Sequence, residues 1–309
     1  MASTQMEMLV SSMKNMIAKG MPAFDDNIDP YLLRQTIEAS QSEMPIEPGV
    51  AFIPDQLGSV EAEISMPENA RQDAIIFYIH GGGLICGNAF TSRGYASMLA
   101  GETRMPVYSL SYRLAPEHPY PAAVDDCYQA YAMIIDRYPE LPVFLIGESG
   151  GGLLCLTTAL KARDAGLRMP AGIIPYSPVI DMSDKIDRSA NEGKDFTVTI
   201  QGLRQLREIY CPDPNLWEHP YVSPLYGDFT GFPPMLLAWD STETLAADSV
   251  KLIEKAISAG VKVEFKAYEG CFHAFPPAGR RIPESAEVLE DTVSFINRHT
   301  HKHWKVATS

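Results

Sequence analysis

Ser149 is the residue in this sequence whose setting most clearly predicts chemistry. Residues 147–151 read Gly-Glu-Ser-Gly-Gly, directly after an apolar run at 143–146 and directly before a helical pattern of leucines. A buried strand, a sharp turn around one serine and a helix form a nucleophile elbow, in which Gly147 and Gly151 avoid the clashes that a Cβ atom would make. The first backbone N–H groups of the helix would face an anionic intermediate on the serine. The alternative interpretation is a serine that only caps its helix.

The segment His80-Gly81-Gly82-Gly83 offers backbone donors for such an intermediate. Three glycines after the apolar run 75–79 let the main chain approach a carbonyl group closely, with no side chain to block the N–H groups. The alternative is an ordinary tight turn. We expect His80 to hold this loop by hydrogen bonding rather than to act as a base.

His273 is the predicted general base. Among the seven histidines, it is the one that lies in a short loop between a strand pattern at 261–268 and a final helical pattern. Its late position suits a triad in which the serine comes first in the chain, the acid second and the histidine last.

The bulk composition narrows the class of partner. A formal net charge of −14 argues against binding to nucleic acid or to an anionic membrane surface, since both attract cationic proteins. The five cysteines are an odd number without C-x-x-C spacing, which favours free thiols in a reducing compartment over disulfides or a zinc site. The first twenty residues show no signal-peptide pattern and no run of eighteen apolar residues occurs, so we expect a cytoplasmic protein. The expected partner is a small molecule, and a homodimer stays open.

From residue 75 onward, short β-branched runs alternate with helical patterns. The predicted strands are 75–79, 107–112, 143–146, 173–174, 235–239 and 261–268. The predicted helices lie near 89–103, 122–137, 150–165, 246–259 and 284–298. Such alternation predicts the α/β fold class, with a mostly parallel sheet covered by helices on both faces.

Two segments interrupt this alternation. Residues 1–46 hold two helical patterns, the second with Asp29 as N-cap and Pro30 in its first turn. Residues 185–219 are polar and hold one short helix near 200–210. We expect both segments to form a helical cap above the C-terminal ends of the strands. The predicted organisation is therefore cap helices at 1–46, a core in two parts at 47–184 and 220–309, and a cap insertion at 185–219.

Three stretches together resemble the hormone-sensitive-lipase branch of the α/β-hydrolases, which are carboxylesterases with an N-terminal cap. They are the His-Gly-Gly-Gly segment, the run Tyr-Arg-Leu-Ala-Pro-Glu-His-Pro-Tyr-Pro-Ala-Ala at 112–123, and the elbow. At the elbow the branch usually has Asp and Ala beside the serine, whereas this chain has Glu148 and Gly150. The resemblance implies an α/β-hydrolase fold and an oxyanion hole formed by the N–H groups of Gly82, Gly83 and Gly150. It implies no metal and no organic cofactor.

The acid of the triad is where the chain departs from that branch. An ungapped count from Pro233-Pro234 puts the branch's Asp position on Glu243, at the expected distance before His273. Asp240 is the alternative acid, because it has the expected residue type and lies just ahead of that position. The role needs only a carboxylate that accepts a hydrogen bond from the imidazole. Glu243 is therefore the predicted acid, and Asp240 stays open.

Four further charged residues are predicted to have structural roles. Arg113, Glu117 and Asp126, which belong to the 112–126 stretch, are expected to pair with each other or with backbone beneath the site. Glu148 is expected to point away from the scissile bond, because neighbouring residues in a tight turn diverge.

The resulting prediction is a serine carboxylesterase that acts through an acyl-enzyme, with Ser149 as nucleophile, His273 as base and Glu243 as the acid. We expect short acyl chains, in a pocket walled by bulky residues near the elbow, such as Leu84, Ile85 and Phe275. An amidase or formamidase with the same triad is one alternative. The other is a non-catalytic binder on this fold, similar to plant hormone receptors, against which the presence of serine, histidine and acid argues.

Overall fold

A mostly parallel sheet of eight strands runs through the centre of the structure. The computed structural model describes residues 2–41 and 45–304. The strand order is β1-β2-β4-β3-β5-β6-β7-β8; β2 pairs antiparallel with both β1 and β4, and the remaining neighbours pair parallel. The strands are β1 (Val50–Leu57), β2 (Val60–Pro67), β3 (Ile75–Ile79), β4 (Val107–Ser111), β5 (Val143–Glu148), β6 (Gly172–Tyr176), β7 (Met235–Asp240) and β8 (Val263–Tyr268).

Helices cover both faces of this sheet. In the described residues they are α1 (Thr4–Ala18), α2 (Pro30–Gln41), α3 (Arg93–Thr103), α4 (Ala122–Arg137), α5 (Gly150–Asp164), α6 (Ile200–Tyr210), α7 (Ala246–Ser258) and α8 (Pro283–Trp304). Alternate residues of β3 divide between two cores: Ile75, Phe77 and Ile79 pack in one, and Ile76 and Tyr78 in the other. Burial on both faces explains why the central strands read as continuous apolar runs. The predicted α/β class is confirmed.

The antiparallel hairpin of β1 and β2 was not predicted. β1 lies at the edge of the sheet, is largely exposed and contains Pro54, a residue that edge strands tolerate because one side of their backbone is unpaired. β1 therefore lacks an apolar run from which it could be predicted.

The parallel register brings four loops to one edge of the sheet. Ile79 at the end of β3 pairs with Gly147 of β5, and Asp240 at the end of β7 pairs with Tyr268 of β8. Since parallel strands end at the same edge, the glycine loop, the elbow, the loop after β7 and the loop after β8 come together there.

The two interrupting segments contact each other above that edge. Phe24 pairs with the insertion, donating its N–H to Thr197 O (3.0 Å) and accepting from Thr199 N (2.9 Å). The N-cap of α2 is confirmed, because Asp29 Oδ1 accepts from the N–H groups of Tyr31 (2.9 Å) and Leu32 (3.1 Å). Within the described part of the chain, none of the helices is both long and apolar enough to cross a bilayer.

Candidate active site

Ser149, His273 and Glu243 form a chain of hydrogen bonds. Ser149 Oγ lies 2.8 Å from His273 Nε2, and His273 Nδ1 lies 3.3 Å from Glu243 Oε2. Ser149 comes from the turn after β5, Glu243 from the loop after β7 and His273 from the loop after β8. The arrangement can draw a proton from the serine hydroxyl to the imidazole while a carboxylate stabilises the resulting cation.

The turn at Ser149 requires small neighbours. Ser149 itself has φ +54° and ψ −120°, a strained conformation for a residue with a Cβ atom. A Cβ on Gly147 would lie 2.5 Å from Ile79 O, and one on Gly151 would overlap the same carbonyl group. The predicted reason for both glycines is therefore confirmed.

Glu243, not Asp240, reaches the histidine. Glu243 is almost fully buried, at 1% exposure, and its Oε2 also accepts from Ser177 Oγ at 2.9 Å. Asp240 is held elsewhere: its carboxylate accepts from the N–H of Thr242 (2.7 Å) and from the N–H of Cys271 (2.6 Å). Asp240 thus ties the loop after β7 to the loop after β8.

The insertion also holds the loop that carries Glu243. Asn191 Nδ2 donates to the backbone carbonyl of Glu243 at 2.9 Å, and the N–H of Thr244 donates to Asp195 Oδ2 at 2.9 Å. Neither Asn191 nor Asp195 was singled out from the sequence. Their partners lie about fifty residues away, and no local pattern signals such a contact.

Burial and mutual attraction shift the pKa values of the pair. Burial raises the pKa of Glu243 to about 7, and the imidazole beside it limits the rise. Burial alone lowers the pKa of His273. The charge and the hydrogen bond of Glu243, with the charges of Asp195 and Glu148, outweigh this effect, so that the pKa of His273 lies above its ordinary 6.5.

The glycine loop presents two free N–H groups. Gly82 and Gly83 have φ of +100° and +60°, which only glycine adopts without strain. The carbonyl of Gly81 accepts from His80 Nδ1 at 2.7 Å, and that of Gly82 accepts from two N–H groups further along the loop. Each carbonyl shares a planar trans peptide with the next N–H, which must point the opposite way. In the described residues, the N–H groups of Gly82 and Gly83 donate to no protein acceptor.

Gly150 faces the same loop. A Cβ on Gly150 would lie 3.3 Å from the backbone nitrogen of Gly83, so the start of α5 and the glycine loop border one space beside Ser149. Three N–H groups at this place can bind a developing oxyanion.

His80 holds the glycine loop through its hydrogen bond to Gly81 O, as predicted. Its ring stacks on Tyr112 with centroids 4.2 Å apart, and Tyr112 donates its hydroxyl to His80 O at 2.9 Å. Burial lowers the pKa of His80 to about 4, so the ring is neutral when it donates to Gly81.

Glu148 turns its carboxylate toward the glycine loop. Oε1 accepts from the N–H of Gly81 at 2.6 Å and Oε2 accepts from the hydroxyl of Tyr78 at 2.7 Å. Burial raises the pKa of Glu148 to about 7, against the effect of these two donors. Sequence reasoning expected only that this side chain would turn from the scissile bond.

The predicted structural charges of the 112–126 stretch form ion pairs. Arg113 binds Asp126 through two nitrogens (2.7 Å from Nη2, 3.0 Å from Nε). Glu117 pairs with Arg34 of α2 rather than within the stretch (2.6 and 2.7 Å). Arg34 also donates to Ile85 O at 2.7 Å, which links α2 to the segment after the glycine loop.

A cavity of about 420 Å³ opens onto Ser149 and His273. The prediction that Leu84, Ile85 and Phe275 wall it is wrong, because all three are fully buried in the cores. Much of its apolar wall comes instead from the N-terminal segment, with Met13, Ile17, Met21, Phe24, Leu33 and Ile37, and the rest includes Tyr95, Val198 and Phe272. The N-terminal segment and the insertion thus supply a large part of the cavity lining.

Comparisons with known proteins agree with this fold. The family profile of the alpha/beta hydrolase fold matches residues 76–277. The chain is 33% identical over 271 residues to an esterase of Acinetobacter venetianus, covering 87% of this chain and 89% of the relative. It is 32% identical over 249 residues to an acetyl-hydrolase of Streptomyces hygroscopicus, covering 79% and 82%. The crystal structure of a hormone-sensitive lipase from a metagenome library superposes with a TM-score of 0.87 at 31% identity, covering 95% of this chain and 98% of that one.

Proposed function

The chain belongs to the hormone-sensitive-lipase branch of the α/β-hydrolases and is a carboxylic ester hydrolase, and from that premise we propose that Ser149, His273 and Glu243 are its catalytic triad. The observation that carries the assignment is the continuous hydrogen-bonded chain from Ser149 Oγ through His273 to Glu243. We further propose that Gly82, Gly83 and Gly150 form the oxyanion hole.

The proposed mechanism follows from these positions. His273 takes the proton of Ser149 as Oγ attacks the ester carbonyl, and Glu243 stabilises the imidazolium. The N–H groups of the two loop glycines and of Gly150 bind the oxyanion of the tetrahedral intermediate. His273 then gives its proton to the departing alcohol, which leaves an acyl-enzyme. A water molecule activated by the same histidine releases the acid and restores the serine.

We propose that the described residues of the segment 1–46, together with residues 185–219, form a cap over the site; residues 1 and 42–44 of the predicted cap lie outside the described part of the chain. Support comes from the pairing of Phe24 with the insertion and from the glycine loop, where a Cβ on Gly83 would strike Phe24 and Leu206. A cytoplasmic location is a further proposal, supported by five unpaired and buried cysteines. The homodimer that the sequence left open also stays a proposal, which a measurement of the oligomeric state in solution would test.

The pH dependence should follow the imidazole. His273 acts as base only when neutral, and its pKa lies above 6.5. We therefore expect kcat/KM to fall as the pH drops, with the midpoint of the acid limb above 6.5. Initial rates with p-nitrophenyl butyrate, in buffers of constant ionic strength from pH 4 to 9, measure the limb. A profile that stays flat down to pH 4 contradicts a histidine base.

Short acyl chains should be preferred. A cavity of about 420 Å³ lies toward the small end of ligand sites, which span about 300 to 1,000 Å³. Each methylene left in water forgoes about 0.8 kcal/mol of binding. Across p-nitrophenyl esters we expect kcat/KM to peak between acetyl and hexanoyl and to fall steeply by decanoyl. A maximum at twelve carbons or beyond would refute the assignment of a compact acyl site.

An anilide added to this panel of esters tests the ester assignment against the amidase alternative. p-Nitrobutyranilide presents the same acyl group with an amine in place of the phenol leaving group. Turnover of the anilide as fast as that of the ester would make the protein an amidase. Ester turnover with little anilide cleavage supports the proposal.

A further inference from the structure

We propose that Glu148 is a positioning residue for the oxyanion hole: its carboxylate holds the backbone of Gly81, so that the N–H of Gly82 points toward the substrate carbonyl oxygen. The inference rests on the proposed roles of Ser149 and of the glycine loop. Glu148, the residue before the proposed nucleophile, would thus orient one of the N–H groups that stabilise the transition state.

The carboxylate and the glycine loop are closely fitted. Glu148 Oε1 accepts from the N–H of Gly81 at 2.6 Å. A Cβ on Gly81 would lie 2.8 Å from the backbone carbonyl of Glu148 and 3.1 Å from its Cγ. The loop therefore rests directly on the residue before Ser149, and a side chain at position 81 would push it away.

Gly81 is held at both of its backbone polar groups. Its N–H donates to Glu148, and its carbonyl accepts from His80 Nδ1 at 2.7 Å. Glycine rotates more freely about φ and ψ than any other residue, so the contact from His80 to the carbonyl needs a second contact, at the N–H of Gly81, to limit rotation about this residue. With both contacts in place, the peptide between Gly81 and Gly82 has one orientation, and the N–H of Gly82 points opposite to His80.

Tyr78 holds the carboxylate itself in place. Its hydroxyl donates to Glu148 Oε2 at 2.7 Å, and its ring meets the edge of Tyr95 at a centroid distance of 5.5 Å. Tyr78 lies on β3 and Glu148 ends β5, its neighbour in the sheet. The nucleophile at the end of one strand and the oxyanion donors at the end of the next are thus tied together.

The contact to Gly81 requires an acceptor oxygen rather than a negative charge. Glutamine keeps such an oxygen at the same distance from the backbone, and its amide N–H₂ can donate to the hydroxyl of Tyr78. Methionine has nearly the same length and shape but no comparable acceptor. Glu148→Gln and Glu148→Met are therefore a matched pair that separates hydrogen bonding from packing.

The test is the steady-state hydrolysis of p-nitrophenyl butyrate by the two variants and the wild type. Removing one oxyanion donor outright costs about 10² to 10³ in kcat, and misdirecting one should cost less. We expect E148M to lose about 10- to 100-fold in kcat with KM within about threefold. E148Q should stay within about fivefold of the wild type in both.

A second readout distinguishes this role from a general disturbance of the site. A trifluoromethyl ketone forms a tetrahedral adduct whose oxygen occupies the oxyanion hole, whereas the product butyrate does not need the hole. For E148M we expect Ki of the ketone to rise by the same factor as kcat falls, with Ki of butyrate nearly unchanged. Circular dichroism confirms the fold, and E148A replaces E148M if the latter does not fold.

Three results would overturn the inference. They are a kcat of E148M within threefold of the wild type, equal losses of kcat in E148Q and E148M, or a loss in E148M that is confined to KM. The proposed function fails separately, if a phosphonate ester inhibitor does not label Ser149 in the wild-type enzyme. Labelling of Ser149 together with any of those three results would leave the triad intact and remove Glu148 from the oxyanion hole.

Discussion

Ser149→Ala should abolish ester hydrolysis while the protein stays folded. The alanine lacks the Oγ that lies 2.8 Å from His273 Nε2, so no acyl-enzyme can form, and we expect kcat to fall by at least about 10⁴-fold. The backbone at this position is already strained, with φ +54°, and alanine bears the same Cβ as serine, so the substitution adds no new clash. Purified variant and wild type are compared with p-nitrophenyl butyrate, and circular dichroism checks the fold.

A serine far from the site provides the matched control. Ser59 lies in the exposed turn between β1 and β2, where its hydroxyl contacts Gln129, and Ser59→Ala should have wild-type activity. Retention of more than a few per cent of kcat by the Ser149 variant would show that another group forms the covalent intermediate.

The turn that carries Ser149, the proposed nucleophile, could be predicted because its signal is local. A strand, a glycine-flanked serine and a helix follow one another within a few residues, and the backbone of that turn tolerates few alternatives. The glycine loop is of the same kind, since positive φ at Gly82 and Gly83 selects for glycine whatever surrounds it. Local backbone geometry restricts which residue types a position accepts, and such restrictions can be recognised in the sequence.

Contacts between distant segments do not restrict residue types in a way that can be recognised in the sequence. The partner of Glu148 is the N–H of Gly81, a backbone group that any residue carries, and it lies 67 positions away. The pairing of Arg34 with Glu117 crosses 83 positions. The pocket wall was misassigned for the same reason: bulky residues next to the elbow pack into the core, while side chains from α1 and α2 reach the cavity.

The acid lies between these two cases. A count along the chain from Pro233-Pro234 singled out Glu243, and the structure places its carboxylate beside His273. The residue type favoured Asp240, whose carboxylate instead joins two loops through Thr242 and Cys271. Position along the chain therefore predicted the carboxylate that contacts His273 better than residue type did.

Glu243→Gln should be far more damaging than Asp240→Asn. Without the carboxylate, the imidazole loses the partner that holds its tautomer and stabilises its cation, a loss of up to about 10⁴ in kcat in triads of this kind. Asp240 accepts from the N–H groups of Thr242 and Cys271 and from the hydroxyl of Thr242, and it does not contact His273. Its asparagine variant keeps one acceptor oxygen, so we expect kcat within about tenfold of the wild type. Initial rates of both variants with p-nitrophenyl butyrate measure the ranking.

The pH profile of the residual activity makes the comparison decisive. Glu243 raises the pKa of His273 through its charge and its hydrogen bond. The neutral amide of E243Q lacks that charge, while burial continues to lower that pKa, so the acid limb of kcat/KM should move to lower pH. In D240N the limb should stay where it is in the wild type. The reverse ranking of rates, or a limb that moves in D240N and not in E243Q, would make Asp240 the acid, since only the carboxylate bonded to the imidazole can change both the rate and the titration of His273.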